Sequence, residues 1–411
     1  MSIYNLEGIF DMEITVRRDF LRLSHWISAM VILLLAGLPP SLAADSPIPV
    51  IHCDTPNPTR DKPQNKLWYA KGTWWAWLPQ GAKGSRIWRK DTRGGWRSLE
   101  HLENRLDSLP GRADVWCEGE SVAAVLMQDS LLTAVLLRWD DSRNTYEIQK
   151  VLPVWREAAS PETATLDRDS QGNFWIAYPL DQPDGRAVVV RKIPPDFSSP
   201  GEKIFLARGL YEDEICAVTS YDGGAGVMWS DQNHEMVLFS RHESGALDTL
   251  WQPADTVSRG HKTADDHINF CRPPASRGPR LIAATKTSLD SMGQPLLSLR
   301  VNTDRRVWIS VPFARLTRRS QPSRPIVFWL KNRPMVVYTA YGSRGSHQSL
   351  NSIMLQPFSA DALDPAGQAR ELIPPVEGLN DVTGPKSTPQ GVPLFLLASD
   401  AGGAVYEASV K

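Results

Sequence analysis

One short apolar run recurs seven times along this chain: Thr73-Trp-Trp-Ala-Trp-Leu78, Ser121-Val-Ala-Ala-Val-Leu126, Asn173-Phe-Trp-Ile-Ala-Tyr178, Ala225-Gly-Val-Met-Trp-Ser230, Arg280-Leu-Ile-Ala-Ala-Thr285, Pro334-Met-Val-Val-Tyr-Thr339 and Val392-Pro-Leu-Phe-Leu-Leu397. The runs start about 50 residues apart, which is the length of one propeller blade. A strand-like segment precedes each run across a tight turn, as at Asp169-Ser-Gln-Gly172, Tyr221-Asp-Gly-Gly224 and Lys331-Asn-Arg-Pro334. A third strand follows, as in Leu132–Arg138, Ala187–Arg191, Met236–Phe239 and Leu296–Arg300, and a fourth closes the unit, as in Tyr146–Ile148, Lys203–Phe205 and Arg306–Ile309. Four short antiparallel strands at this period predict an all-β chain, a seven-bladed β-propeller of four-stranded antiparallel blades. The last repeat has only three strands before Lys411, and Pro47-Ile-Pro-Val-Ile51 lies ahead of the first. The ring is therefore expected to close with this N-terminal strand beside Val405–Ser409, which removes the open edges.

Turn residues support a single large β domain, because the 32 prolines and 28 glycines are spread along the chain rather than gathered in a linker. Residues 1–43 read differently. Arg17-Arg18-Asp19-Phe20-Leu21-Arg22 precedes an apolar stretch from Trp26 to Leu38 and the small-x-small end Ser41-Leu42-Ala43. A basic start, a short apolar core and that end predict an export signal peptide over 1–43 and a mature propeller over 44–411, in the periplasm or secreted. The apolar stretch falls short of the roughly 20 residues that span a bilayer, so an uncleaved anchor is the second reading. The Arg17-Arg18-x-Phe20-Leu21 pattern resembles the signal of the twin-arginine translocase, with Val16 where that signal usually has Ser or Thr; the general secretory route is the alternative.

From 45 basic and 46 acidic side chains, the leader takes Arg17, Arg18 and Arg22 and also Glu7, Asp11, Glu13 and Asp19, leaving 42 of each. A balanced domain has no electrostatic footprint for nucleic acid or an anionic membrane surface, so neither is expected as a partner, and the domain is read as a monomer. Cys53, Cys117, Cys216 and Cys271 allow two disulfides in an exported chain, but their wide spacing and apolar settings also suit buried free thiols. No Gly-rich phosphate loop, zinc-ligand spacing or nucleophile elbow occurs, so no cofactor or metal is expected.

The unusual polar residues collect on one face. Where the chain enters each innermost strand stand Arg112 and Asp114, Glu162, Asp213 and Glu214, Asp265, Asp266, His267 and Asn269, Ser323 and Arg324, and Asn380 and Asp381. The loops between second and third strands share that face and add Asp231 with His234, Lys286 with Asp290, and Tyr338 and Tyr341 with Arg344 and His347. Propeller geometry gathers these groups at the mouth of the central channel, the usual place for a ligand in a ring fold. Asp and Asn in such positions also cap turns through backbone hydrogen bonds, which is the structural alternative for each carboxylate.

Asp265-Asp266-His267-x-Asn269 resembles the Asp-Asp-His-Asn segment of BNR-type propellers, a group near the sialidase-like superfamily that includes polysaccharide lyases of the ulvan-lyase kind; Ile268 interrupts the match. In such lyases a His or Tyr removes the proton beside a uronic acid carboxylate while a cation neutralises that carboxylate. The resemblance implies His267 as base, with Arg112, Arg324 and Lys286 as carboxylate partners by position. A glycosidase would instead draw its carboxylate pair from Asp114, Glu162, Glu214 and Asp266. Two functions follow as expectations. One is a propeller that binds a glycan or polysaccharide through Arg112, Arg324, Lys286, Asp231, Asn269 and Tyr341, and the other is a carbohydrate-active enzyme using His267, Asp266, Asp114 and Glu214. Asp169-x-x-Gly172-x-x-Trp175 resembles the Asp-box of sialidase-like propellers but is displaced within its blade, and is read as a blade turn.

Overall fold

The computed structural model describes residues 47–411 apart from residues 82–83, 129, 157–161, 275–278, 305 and 343–348. The expected export signal, Arg344 and His347 lie outside the described residues. The described chain forms seven four-stranded antiparallel sheets. Innermost strand first, blade 1 is Leu67–Ala70, Thr73–Pro79, Ser85–Lys90 and Trp96–Ser98, and blade 2 is Arg112–Glu118, Ser121–Gln128, Leu131–Asp140 and Thr145–Arg156. Blade 3 is Thr165–Arg168, Phe174–Gln182, Gly185–Ile193 and Ile204–Leu210, and blade 4 is Cys216–Tyr221, Gly224–Asp231, Met236–His242 and Asp255–Arg259. Blade 5 is Ile268–Cys271, Leu281–Lys286, Pro295–Asp304 and Val307–Arg315, and blade 6 is Gln321–Leu330, Arg333–Tyr341, Leu350–Pro357 and Arg370–Glu377. Blade 7 combines Asn380–Thr383, Leu394–Ser399 and Ala404–Val410 with Ile51–His52 from the other end of the chain.

Each recurrent apolar run is the second strand of its blade, buried on both faces because blades pack on either side. Between blades 1 and 2, Trp68 stacks on Trp75 (centroids 6.1 Å apart) and both meet Tyr146 edge-on. The closing strand pairs Ile51 with Val405, and the Val50 amide donates to the Val405 carbonyl at 2.7 Å. It is shorter than expected because Pro47 and Pro49 have no N–H to give the ladder. At the Asp-box-like stretch, Asp169 accepts the amides of Gln171 (3.0 Å) and Asn173 (2.9 Å) and the Trp175 indole N–H (2.9 Å), with Gly172 at the φ of +90° that this turn needs. It joins the first and second strands of blade 3.

Polar residues on the innermost strands stitch neighbouring blades together. Asp114 of blade 2 accepts the Leu166 amide of blade 3 (2.8 Å), Thr165 accepts the Val218 amide of blade 4 (3.0 Å), and Asp167 accepts the Ser220 amide (2.8 Å). Asn269 of blade 5 accepts the Val327 amide of blade 6 at 2.9 Å. Amides lining the axis have no strand partner on that side, and these side chains supply the missing acceptor. All four cysteines are free thiols.

Candidate functional site

The chain leaves the closing strand at the outer rim of blade 7 and must reach the innermost strand of blade 1, so residues 53–66 cross the channel mouth. Pro56, Pro58 and Pro63 rule out regular structure in this strap. It is instead pinned across the ring. The Asn57 amide donates to Asp400 O (3.0 Å) and the Thr59 amide to Ser399 Oγ (3.1 Å) in blade 7, while Gln64 Nε2 donates to Ala164 O beside blade 3 (2.9 Å). Asn269 Nδ2 of blade 5 donates to Pro63 O (3.4 Å), and Asp114 of blade 2 accepts the Asn65 amide (2.7 Å). Lys66, fully buried on the axis, donates to Gln64 Oε1 (2.7 Å) and Ala113 O (3.1 Å).

Above the strap lies a depression of about 310 Å³ lined by Asn57, Arg60, Asp61 and Lys62 from the strap and by Arg112, Glu162, Arg324, Tyr341, Asn380 and Asp381 from blades 2, 3, 6 and 7. Four of the residues just named have left-handed backbone: Asn57 (φ +48°), Asp61 (φ +98°), Arg324 (φ +54°) and Asp381 (φ +48°). Arg324 and Asp381 sit at register shifts in the first strands of blades 6 and 7, where a bulge turns the side chain toward the mouth. Arg324 donates from Nη1 to Asp381 (2.6 Å) and from Nε to the Tyr341 hydroxyl (2.9 Å), and that hydroxyl donates to Asn380 Oδ1 (2.7 Å). Burial works against the Arg324 charge, but Asp381 and Tyr341 outweigh it and hold the guanidinium above its usual range. Burial pushes the Tyr341 phenol up, against the opposing pull of Arg324, so at neutral pH it keeps its proton.

Cations outnumber carboxylates at the Asp61 end. Arg112 (3.1 Å), Lys66 (3.8 Å) and Arg60 (3.9 Å) all approach this one carboxylate. Arg60 finds no hydrogen-bond acceptor among the described residues, and its side chain is 43% exposed. Burial nonetheless raises the Asp61 carboxyl to about 6, against the pull of Lys66 and Arg60.

Beneath the strap, a second cavity of about 20 Å³, room for one water molecule, contains one face of His267. The His267 Nδ1 lies 2.9 Å from Asp265 and 2.5 Å from Asp266, which places the proton on that nitrogen. Its Nε2 is buried with no hydrogen-bond partner among the described residues. Burial brings the imidazole down to about 3, against Asp265, so the ring is neutral. Asp265 also takes Lys286 (2.5 Å); burial raises its carboxyl, but His267 and Lys286 prevail and hold it far below its usual range. The Lys62 ammonium contacts Asp266 and lies 3.6 Å from Glu162. Asp265, Asp266 and His267 form one group, and Glu162, Asp213 and Asp266 another, in which donor atoms are close enough together to hold a cation.

The sequence-derived candidates thus separate. Arg112, Arg324 and Tyr341 share the depression. Asp266 and His267 do not line it, because the strap covers them. Asp114 and Asn269 face the interior of the channel as blade stitches, and Asp114 is wholly buried. Glu214 turns into its own blade to accept the Gln232 amide, Asp231 is engaged by its neighbour His234 (2.9 Å), and Lys286 by Asp265. Tyr338 packs into the core against Phe313 (centroids 6.2 Å apart). Arg60, Asp61 and Lys62 escaped sequence reasoning, since no periodicity marks the strap. The one available signal was topological: a chain passing from the outer edge of blade 7 to the axis must run across the mouth.

No family model matches the chain, and no curated protein is similar to it. Solved structures are. A polysaccharide lyase described as an ulvan lyase of family PL25 aligns at 7% identity over 87% of this chain and 96% of its own, with a TM-score of 0.54. The likeness is one of fold. A Trypanosoma rangeli sialidase aligns at 10% identity over 77% of this chain and 58% of its own (TM-score 0.46), and a Penicillium chrysogenum α-L-arabinanase at 12% over 89% and 99% (TM-score 0.44). Among the described residues no helix is long and apolar enough to cross a membrane.

Proposed function

We propose that this protein is an exported carbohydrate-active enzyme that cleaves an acidic polysaccharide by β-elimination in the channel-mouth depression. The observation that carries this reading is the Arg324–Tyr341–Asn380 relay in a cavity that also presents Arg60 and Arg112. Elimination needs a cation to neutralise the carboxylate beside the departing proton, an acid for the leaving oxygen, and a base. Arg60 and Arg112 supply the first, and both have donors to spare. Tyr341 supplies the second, because burial keeps its phenol protonated and Arg324 fixes its oxygen. His267 Nε2, a neutral acceptor held in orientation by Asp265 and Asp266, is the base that the lyase resemblance implies. Backbone held in left-handed conformation at Asp61, Arg324 and Asp381 supports a functional site here, since such strain is retained where geometry matters more than stability. The shared fold with an ulvan lyase is consistent with this use.

Asp61 supports a second reading. A carboxyl raised to about 6 is suited to act as the general acid of a glycosidase. Incubating the purified protein with ulvan and other uronate polysaccharides separates the readings. New reducing ends with ultraviolet-absorbing unsaturated uronate mean elimination, and new reducing ends alone mean hydrolysis. Saturable binding without either leaves a glycan-binding propeller.

A further inference from the structure

We infer that Lys62 is a gate between the depression and His267, and that withdrawal of its ammonium from Asp266 opens the sealed imidazole to a ligand in the depression. The depression and the inner cavity share one wall, made of Asp61, Lys62, Arg324 and Asp381. Three members of the wall are fixed. Arg324 and Asp381 hold each other at 2.6 Å and Arg324 also holds Tyr341, while Asp61 is clamped by Arg112 and backed by the fully buried Lys66. Lys62 differs. Its ammonium is a point charge on a flexible four-carbon stem, with one carboxylate on each side of the wall. Asp266 lies beneath the strap, and Glu162 lines the depression at 3.6 Å. Lys62 already lies between the two, with Glu162 also held by Arg186 at 2.8 Å, and an anionic ligand group in the depression would draw the ammonium away from Asp266.

The backbone on either side of Lys62 confines the motion to this side chain. Asp61 is held at φ +98° and Pro63 has its φ locked by the ring. What the gate conceals is His267 Nε2, an acceptor buried without a donor. A buried polar atom without a partner calls for an explanation, and access to the depression supplies one here. With Nδ1–H committed to Asp265 and Asp266, Nε2 is the nitrogen left to act as a base, and the wall that contains Lys62 lies between its cavity and the depression.

The gate serves the carbohydrate reading above, but its test follows His267 itself. The full chain is treated with diethyl pyrocarbonate, which modifies accessible neutral imidazoles, and each histidine is followed by peptide mass spectrometry. In the unaltered protein the exposed His261 and His234 react while His267 stays protected. In Lys62→Ala the His267 rate rises about tenfold or more, as for a site freed from a local closing contact. His242, buried against Trp175 in blade 4, stays protected in both. Lys62→Arg, which keeps a cation for Asp266, holds the rate near that of the unaltered protein. An unchanged His267 rate in folded Lys62→Ala overturns the gate, and so does a joint rise at His242 and His267, which means general loosening. If Lys62→Ala does not fold, Lys62→Met is read in the same way. A gated His267 in a protein that turns over no polysaccharide would keep the gate and remove the enzyme reading.

Discussion

Lys386, which follows the innermost strand of blade 7, reaches Asp114 of blade 2 with its Nζ 2.7 Å from a carboxylate that is wholly buried. Asp114 also accepts the Asn65 and Leu166 amides, so one side chain ties the strap to three blades. Burial raises its carboxyl against the opposing pull of Lys386. Removing it leaves a half-buried ammonium and two amides unanswered. Asp114→Ala is expected to lose about 3–5 kcal/mol of stability in chemical unfolding, in line with breaking a buried ion pair. A variant as stable as the parent would mean that Asp114 is not the structural centre its contacts describe.

Tyr341→Phe removes the hydroxyl that joins Arg324 to Asn380 while leaving the ring in place. If this phenol protonates the leaving oxygen, kcat falls about 10²- to 10⁴-fold with little change in KM, the usual range for a lost general acid. A matching fall in affinity with kcat retained would assign Tyr341 to ligand positioning instead. Steady-state kinetics on whichever polysaccharide is cleaved distinguishes the two.

The two cavities respond to pH in opposite senses. His267 is brought down from 6.5 to about 3 by burial, so the unfolded chain binds a proton there that the folded chain refuses. Its contribution to stability is present above 6.5 and is lost as pH falls toward 3. Asp61 is raised from 3.8 to about 6, so its contribution is present below 3.8 and is lost as pH rises through 6. Melting temperature followed against pH should lose part of its acid decline in His267→Gln. Asp61→Asn should remove a decline between 3.8 and 6. Parallel curves for all three proteins would contradict both assignments.

The proposed export rests on residues 1–43. Replacing Arg17 and Arg18 with Lys should retain the protein in the cytoplasm if the twin-arginine route carries it, and the exported form should begin at or near Ala44 on N-terminal sequencing. Normal export of the double variant would identify the general secretory route.

The ring was legible because each second strand is sandwiched between blades and must be apolar throughout. Seven such runs, from Thr73–Leu78 to Val392–Leu397, therefore marked the blades and located the closing strand within a few residues. The site was only partly legible. Arg112, Arg324 and Tyr341 were found by their position at the mouth, but Asp114 and Asn269 enter their strands in the same way and point along the axis, and sequence spacing does not distinguish a stitch from a contact. The larger omission was the strap. Its residues obey no period, and what they do depends on partners such as Ser399, Glu162 and Asp266 that lie hundreds of residues or several blades away.

The closing strand sets an order of assembly. Ile51 meets Val405 only after nearly the whole chain has been made, and such a distant contact is slow to form because the loop it closes is so long. The strap begins where that strand ends, and its Asn57 and Thr59 are anchored only once blade 7 is in place. Blades 2 to 6 can form as the polypeptide emerges, each against its predecessor. The channel-mouth depression is therefore among the last parts of the molecule to be completed, and a chain cut short before blade 7 would have most of its blades and no anchor for the strap that floors the depression.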